Sequence, residues 1–185
     1  LTPEQTQLRE NVHKFAEEVL RPAAQTLDRL DDPEQVIAKD SIFWDVFRKA
    51  WRLGYHATGI PTDFGGGGLL GVDSHIFCEE VGWGSADFAI GIGVAGLPFA
   101  VLATLRPDLI DKYVKPFVED TEAKYIGCWA ITEPQHGSDF LYAGTTTFGG
   151  PQVRTQVVAK LEGDAYVLTG QKSAWVSNGT IATHA

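Results

Sequence analysis

The residues CWAITEPQHGSD, Cys128 to Asp139, mark the point where the chain changes character. Cys128, Trp129, Ala130 and Ile131 run apolar without a break, as a buried strand does. The chain then turns polar through Thr132, Glu133, Pro134, Gln135, His136, Gly137, Ser138 and Asp139. Upstream of this stretch the apolar residues recur at helical spacing, and downstream they alternate. The position of that switch decides the fold class.

Working back toward the start, Thr2-Pro3-Glu4 reads as a helix start. A hydroxyl N-cap is followed by a proline whose missing N–H costs nothing there, and by an acid in the first turn. Leu8, Val12, Phe15 and Val19 continue at helical spacing, with Pro22 predicted to kink or interrupt the helix. Phe43, Val46, Phe47, Ala50 and Trp51 form a second amphipathic helix closed by Gly54. Gly59 to Gly71 reads as a flexible glycine-rich connection. Asp73 is predicted to cap a third helix reaching Val81 or Trp83. A small-residue helix follows from Ala86 to Leu105. Another runs from Pro107 to Asp120, with Ile110, Val114, Phe117 and Val118 on one face.

Working forward, Val153, Thr155, Val157, Ala159 and Leu161 alternate with polar residues, and Gly163-Asp164 reads as a hairpin turn. Ala165–Thr169 and Lys172–Ser177 are predicted strands, and Asn178-Gly179 a further turn. Helices followed by an antiparallel meander mean an α+β chain or two domains, not a doubly wound sheet. The boundary falls at residue 122, giving a helical part over 1–122 and a β part over 123–185.

The bulk numbers exclude several classes. The 185 residues carry a net charge of -9, and the 15 Lys and Arg residues form no run, which argues against binding of nucleic acid or anionic membrane. No apolar stretch is read as approaching the length of a membrane span, so membrane insertion is not expected. Cys78 and Cys128 read as two buried thiols in a reducing compartment. The chain opens at Leu1 and stops in mid-pattern, and so reads as a segment of a longer protein.

Most motif-like spacings fail on context. Gly91, Gly93 and Gly96 match a dinucleotide fingerprint, but a helix precedes them and Pro116 stands where an acid is needed, which leaves close helix packing. Gly65–Gly68 lacks the Lys-Ser or Lys-Thr of a phosphate loop. His75, Cys78 and Glu79 share a helix face without a second cluster, so no metal site is expected. No nucleophile elbow occurs. What remains is a repeated pairing of an indole with a hydroxyl near a strand end: Trp129 with Thr132, and Trp175 with Ser177. A flat heteroaromatic ligand needs an apolar wall and donors at its polar edge. Core tryptophans beside ordinary turn residues would give the same pattern, and the residues alone leave the two readings level.

Ala130-Ile131-Thr132-Glu133-Pro134, Gly137-Ser138-Asp139, and Gly170-Gln171-Lys172 with Trp175-Val176-Ser177-Asn178 together resemble the acyl-CoA dehydrogenase family of flavoproteins. Gly59-Ile60-Pro61, Phe64-Gly65-Gly66 and Glu79-Glu80-Val81 extend the resemblance over nearly the whole chain. Gln135-His136 departs from it, since the family usually has small residues there. The resemblance implies an N-terminal helical domain, a middle β-barrel domain incomplete in this chain, and a C-terminal four-helix domain absent from it.

It also implies FAD, with Trp129, Ala130, Ile131 and Thr132 along the ring, and Gly137, Ser138, Trp175, Val176 and Ser177 completing the cofactor site. Ser138 would also reach the substrate, and Ile90, Gly93 and Val94 would line the acyl end, where Gly91, Gly93 and Gly96 leave room for a long or bulky group. The implied reaction is α,β-dehydrogenation of an acyl-CoA, as part of fatty-acid metabolism. Its base lies in the absent domain, so no catalytic residue is named here. Electron-transferring flavoprotein as acceptor, a homotetramer, and a bacterial cytoplasmic or mitochondrial matrix location are implied with it. A non-catalytic subunit and an acyl-CoA oxidase are the alternatives on the same scaffold.

Overall fold

The computed structural model describes residues 1–135, 137, 155–174 and 176–185. Helix α1, Pro3–Phe15, starts on Thr2: its hydroxyl accepts from the Gln5 N–H, and the Gln5 side chain accepts from the Thr2 N–H. A π-helical turn, Ala16–Leu20, then leads straight into α2, Arg21–Leu27. Pro22 therefore does not break the run. It sits where the widened turn frees its neighbours from the bond that proline cannot make.

Helix α3, Ile42–Arg52, is capped by the Ser41 hydroxyl, which accepts from the Phe43 N–H at 3.2 Å. It buries Val46, Phe47, Ala50 and Trp51 and ends at Gly54, whose φ of 72° favours glycine. Fully burying a side chain such as Phe47 stabilises by roughly 1.5–3 kcal/mol. Helix α4, Gly71–Gly84, packs along α1. A Cβ on Gly84 would stand 2.8 Å from the Ala16 Cβ, so only glycine lets the two backbones come this close. Asp73 is not the cap of α4, which follows Leu70. Its carboxylate accepts instead from the Gln5 amide at 2.9 Å, a tie between α1 and α4 that local sequence cannot reveal.

The predicted long helix is two, α5 Ala86–Ala95 and α6 Leu97–Leu105, meeting at Gly96. Phe88, Ile92, Ala95 and Phe99 enter the core, while Ile90, Leu97 and Leu105 are exposed. Ala86–Leu105 is long and apolar enough to cross a membrane, which corrects the expectation that no stretch approaches that length. The reason is that apolar residues occupy both the packed and the open faces. A 3₁₀ turn and a π turn, Pro107–Leu109 and Ile110–Val114, lead into α7, Lys115–Glu119.

The glycine-rich connection is a packed turn rather than a loose one. The N–H groups of Gly66, Gly67, Gly68 and Leu69 donate to the carbonyls of Pro61, Ala57, Ile60 and Thr58. A Cβ on Gly66 would lie 2.2 Å from the Ile60 carbonyl oxygen. Cys78 is exposed, and only Cys128 is buried. Position 78 falls on the outer side of α4, between core residues Phe77 and Val81.

After α7 the Asp120 carboxylate accepts from the N–H groups of Glu122, Lys124 and Tyr125 and turns the chain toward residues 126–128. The end of the chain lies alongside: Cys128 N–H donates to the His184 carbonyl and Thr183 N–H to that of Ile126. Strands β1, Val158–Glu162, and β2, Ala165–Thr169, form an antiparallel hairpin with Leu161 opposite Tyr166. All ten of their residues are exposed, so the alternation has no covered face here. Among the described residues of the predicted strand Lys172–Ser177 no strand forms; the Ser173 N–H donates to the Thr132 carbonyl at 2.8 Å.

Candidate flavin-binding segment

Residues 128–131 run between two clefts, and Thr132, next along the chain, lines neither. One, of about 450 Å³, is bounded by Pro98, Val101 and Leu102 of α6, by Trp129 and Ile131, and by Lys172. The other, of about 330 Å³, lies among Cys128, Ala130, Ser173, Ala174 and Val176. Trp129 is 40% exposed, a large apolar ring left uncovered, while Ala130, Ile131 and Thr132 are half-buried. Among the described residues the N–H groups of Trp129, Ala130 and Thr132, and the Thr132 hydroxyl, make no hydrogen bond. Backbone donors at the edge of a cleft are normally spent on the protein or on a ligand. An apolar strip with unspent donors and an exposed indole fits a flat ring system with a polar edge.

Gly137 lies over this segment: a Cβ there would meet the Thr132 Cγ2 at 3.6 Å. Val176 lines the second cleft with Ala130, whereas Ser177 is exposed in the following turn and lines neither. Ser138 and Trp175 lie outside the described residues. Ile90, Gly93 and Val94 are not brought into either cleft beside Trp129. Gly93 instead lines a third cavity, of about 210 Å³, with Ile60, Phe77 and Leu97.

Of the three glycines expected to leave room, only Gly93 faces open space. A Cβ on Gly91 would stand 3.2 Å from the Phe47 ring, and one on Gly96 would stand 2.9 Å from the His56 carbonyl oxygen. Both admit close packing, and Gly96 also lines the cavity that Gly93 faces.

Two contributors escaped the sequence reading. Glu133, 2% exposed, accepts from the backbone N–H groups of Gln156 and of Val157, the latter at 3.1 Å, and from Lys172 Nζ at 2.8 Å. The Lys172 ammonium first, then the Gln156 N–H, hold its carboxyl down to about 2. This fixes the exit of the 128–132 segment against both the hairpin and the Lys172 stretch. The signal was present as an acid and a lysine in the paired motifs, though spacing does not say that they meet. Asn178 is the other: its Nδ2 donates to the Gly91 carbonyl at 2.7 Å and to the Gly127 carbonyl at 3.2 Å, tying α5 to the segment's start.

Residues 2–121 match the family model described as the N-terminal domain of acyl-CoA dehydrogenase. The chain belongs to the acyl-CoA dehydrogenase family. Bovine (Bos taurus) mitochondrial isovaleryl-CoA dehydrogenase is 29% identical over 97% of this chain and 37% of its own length. Rat (Rattus norvegicus) mitochondrial short-chain specific acyl-CoA dehydrogenase is 31% identical over 92% of this chain and 36% of its own. Among solved structures, PigA in complex with FAD superposes with a TM-score of 0.70 at 26% identity, covering 98% of this chain and 42% of PigA. This acyl-CoA dehydrogenase family chain thus spans little more than a third of the length of these curated relatives.

Proposed function

We propose that the full-length protein containing this chain is an FAD-dependent acyl-CoA dehydrogenase that removes one hydrogen from Cα and one from Cβ of an acyl thioester. The observation that carries the reading is the Trp129–Ile131 strip between two clefts, with the N–H groups of Trp129 and Ala130 unspent there and the donors of Thr132 unspent just beyond. The FAD complex of a structural neighbour supports the choice of cofactor. The chain divides into a helical domain over 1–122 and a β domain over 123–185.

Bound flavin would supply the acceptor for the β-hydrogen, as hydride. This chain's residues bind and orient. Trp129, Ala130, Ile131 and Thr132 hold the ring, with the Thr132 hydroxyl and neighbouring N–H groups at its polar edge. Gly137, Ser138, Trp175, Val176 and Ser177 complete the pocket by match to the family motif, and Ser138 also contacts substrate. Ile90, Gly93 and Val94 line the acyl end. The α-proton goes to a carboxylate outside this chain, and polarisation of the thioester carbonyl makes that proton acidic enough to leave. Electron-transferring flavoprotein is the acceptor, the assembly is a homotetramer, and the reaction belongs to fatty-acid metabolism.

The test is the visible spectrum of the full-length protein, without oxygen, as acyl-CoAs of rising chain length are added. Bleaching of the flavin band by one of them is the expected result. Flavin that no acyl-CoA bleaches points to a non-catalytic subunit, and a protein that purifies and reconstitutes without flavin overturns the reading.

A further inference from the structure

Among the described residues, Lys172 is the only charged side chain that lines either cleft beside Trp129. Its place there is fixed from several sides. Nζ donates to Glu133 Oε1 at 2.8 Å and stands 3.4 Å from the Ile131 carbonyl oxygen. The N–H of the next residue, Ser173, donates to the Thr132 carbonyl at 2.8 Å. An ammonium carries three N–H groups, so at least one has no partner among the described residues. The Glu133 side chain is wholly inaccessible to solvent and lines neither cleft, whereas that of Lys172 is 33% exposed. The ion pair is therefore oriented. Its positive end belongs to the cleft wall, and its negative end lies in the protein behind.

The segment that this charge adjoins is the one assigned above to the flavin ring, and the contacts at Ile131 and Thr132 put the charge at the end assigned to the ring's polar edge. A hydride arriving on a neutral ring leaves one negative charge, which concentrates at that edge. A fixed cation beside it stabilises the charged form over the neutral one. Its effect is thus on the balance between oxidised and reduced flavin, and not on binding alone.

We propose, resting on the acyl-CoA dehydrogenase reading, that Lys172 raises the reduction potential of the bound flavin, with Glu133 as the positioning residue that holds the ammonium at the polar edge of the ring. The electron pair comes from the acyl thioester and reaches the ring with the β-hydrogen. Lys172 neither gives nor takes a proton; it favours the anion that the transfer leaves.

The experiment measures the two-electron potential of the flavin in the full-length flavin-loaded protein, by equilibration with a reference dye. Lys172→Met removes the cation and should weaken the preference for reduced over oxidised flavin about tenfold, a shift of about 30 mV to more negative potential for a two-electron couple. Glu133→Gln keeps the shape but removes the counter-charge, and should shift the potential the opposite way. A purely structural joint would move both variants in the same direction or neither, and either result overturns the inference. Should Lys172→Met fail to fold, the sign of the Glu133→Gln shift decides: a positive shift upholds the inference, and zero or a negative one overturns it. Flavin that an acyl-CoA bleaches, at a potential that neither substitution moves, removes this inference alone. A protein that takes up no flavin removes the dehydrogenase reading with it.

Discussion

Lys172 Nζ and Glu133 Oε1 stand 2.8 Å apart and join the two motif-bearing stretches of this chain across 39 residues of sequence. Because the Glu133 side chain is wholly inaccessible to solvent, the pair is a fixed joint rather than a passing surface contact. Its carboxyl is held at about 2, against an ordinary value of 4.5. A folded-state pKa below the unfolded one means that the stabilising contribution is complete above about 4.5 and drains away as pH falls toward about 2. Urea midpoints measured across that window should fall with acid in the wild type and fall less in Glu133→Gln. Parallel curves for the two proteins would show that the joint contributes nothing pH-dependent.

Two helical glycines should respond oppositely to the same substitution. A Cβ at Gly84 would crowd the Ala16 Cβ at 2.8 Å and its Cα at 3.0 Å, so Gly84→Ala should destabilise by about 1–3 kcal/mol as α4 is forced off the Ala16–Leu20 turn. A Cβ at Gly93 meets nothing within 4 Å, and alanine is the better helix former, so Gly93→Ala should stabilise by about 0.5–1 kcal/mol. Denaturant unfolding of both variants checks the sign of each change.

What could be read from the sequence, and what could not, divides along the range of the interactions. Helices α1 and α3 were legible because their signals are local: the Thr2 cap before Pro3 in α1, and Phe47 four residues before Trp51 in α3, whereas the Ser41 cap of α3 went unread. The Gly163 turn and its flanking strands were legible for the same reason. Asp73 was misread because its partner, Gln5, lies on another helix. Lys172–Ser177 has strand-like composition, but among the described residues no strand pairs with it, and composition cannot supply a missing ladder. For the site, the Trp129–Thr132 segment stood out by residue type. The joint at Glu133 and the tie at Asn178 did not, because each is closed by backbone groups distant in sequence.

The two thiols should separate cleanly. Cys78 is exposed, whereas Cys128 is buried and burial pushes its thiol pKa up, so it is both shielded and protonated. An aromatic disulfide reagent should titrate one thiol per chain in the folded protein and two after denaturation. Two fast thiols in the folded state would show that the Cys128 segment opens readily, and with it the region between the clefts.

Asn178 offers the sharpest test of how the helical part is fastened to the segment that runs between the clefts. Its backbone sits at φ 63°, which asparagine tolerates better than most residues, and its amide spans the Gly91 and Gly127 carbonyls. Asn178→Gly keeps the backbone conformation and removes both hydrogen bonds. Asn178→Ala removes them and adds the strain of a left-handed residue with a Cβ. Each buried hydrogen bond is worth roughly 0.5–1.5 kcal/mol net, so Asn178→Gly should cost about 1–3 kcal/mol and Asn178→Ala about 1 kcal/mol more. If the amide also sets the position of residues 127–129, flavin affinity in the full-length protein should fall with both variants. A loss of stability with unchanged flavin affinity would confine Asn178 to the scaffold, and equal stability of the two variants would show that the left-handed turn carries no strain.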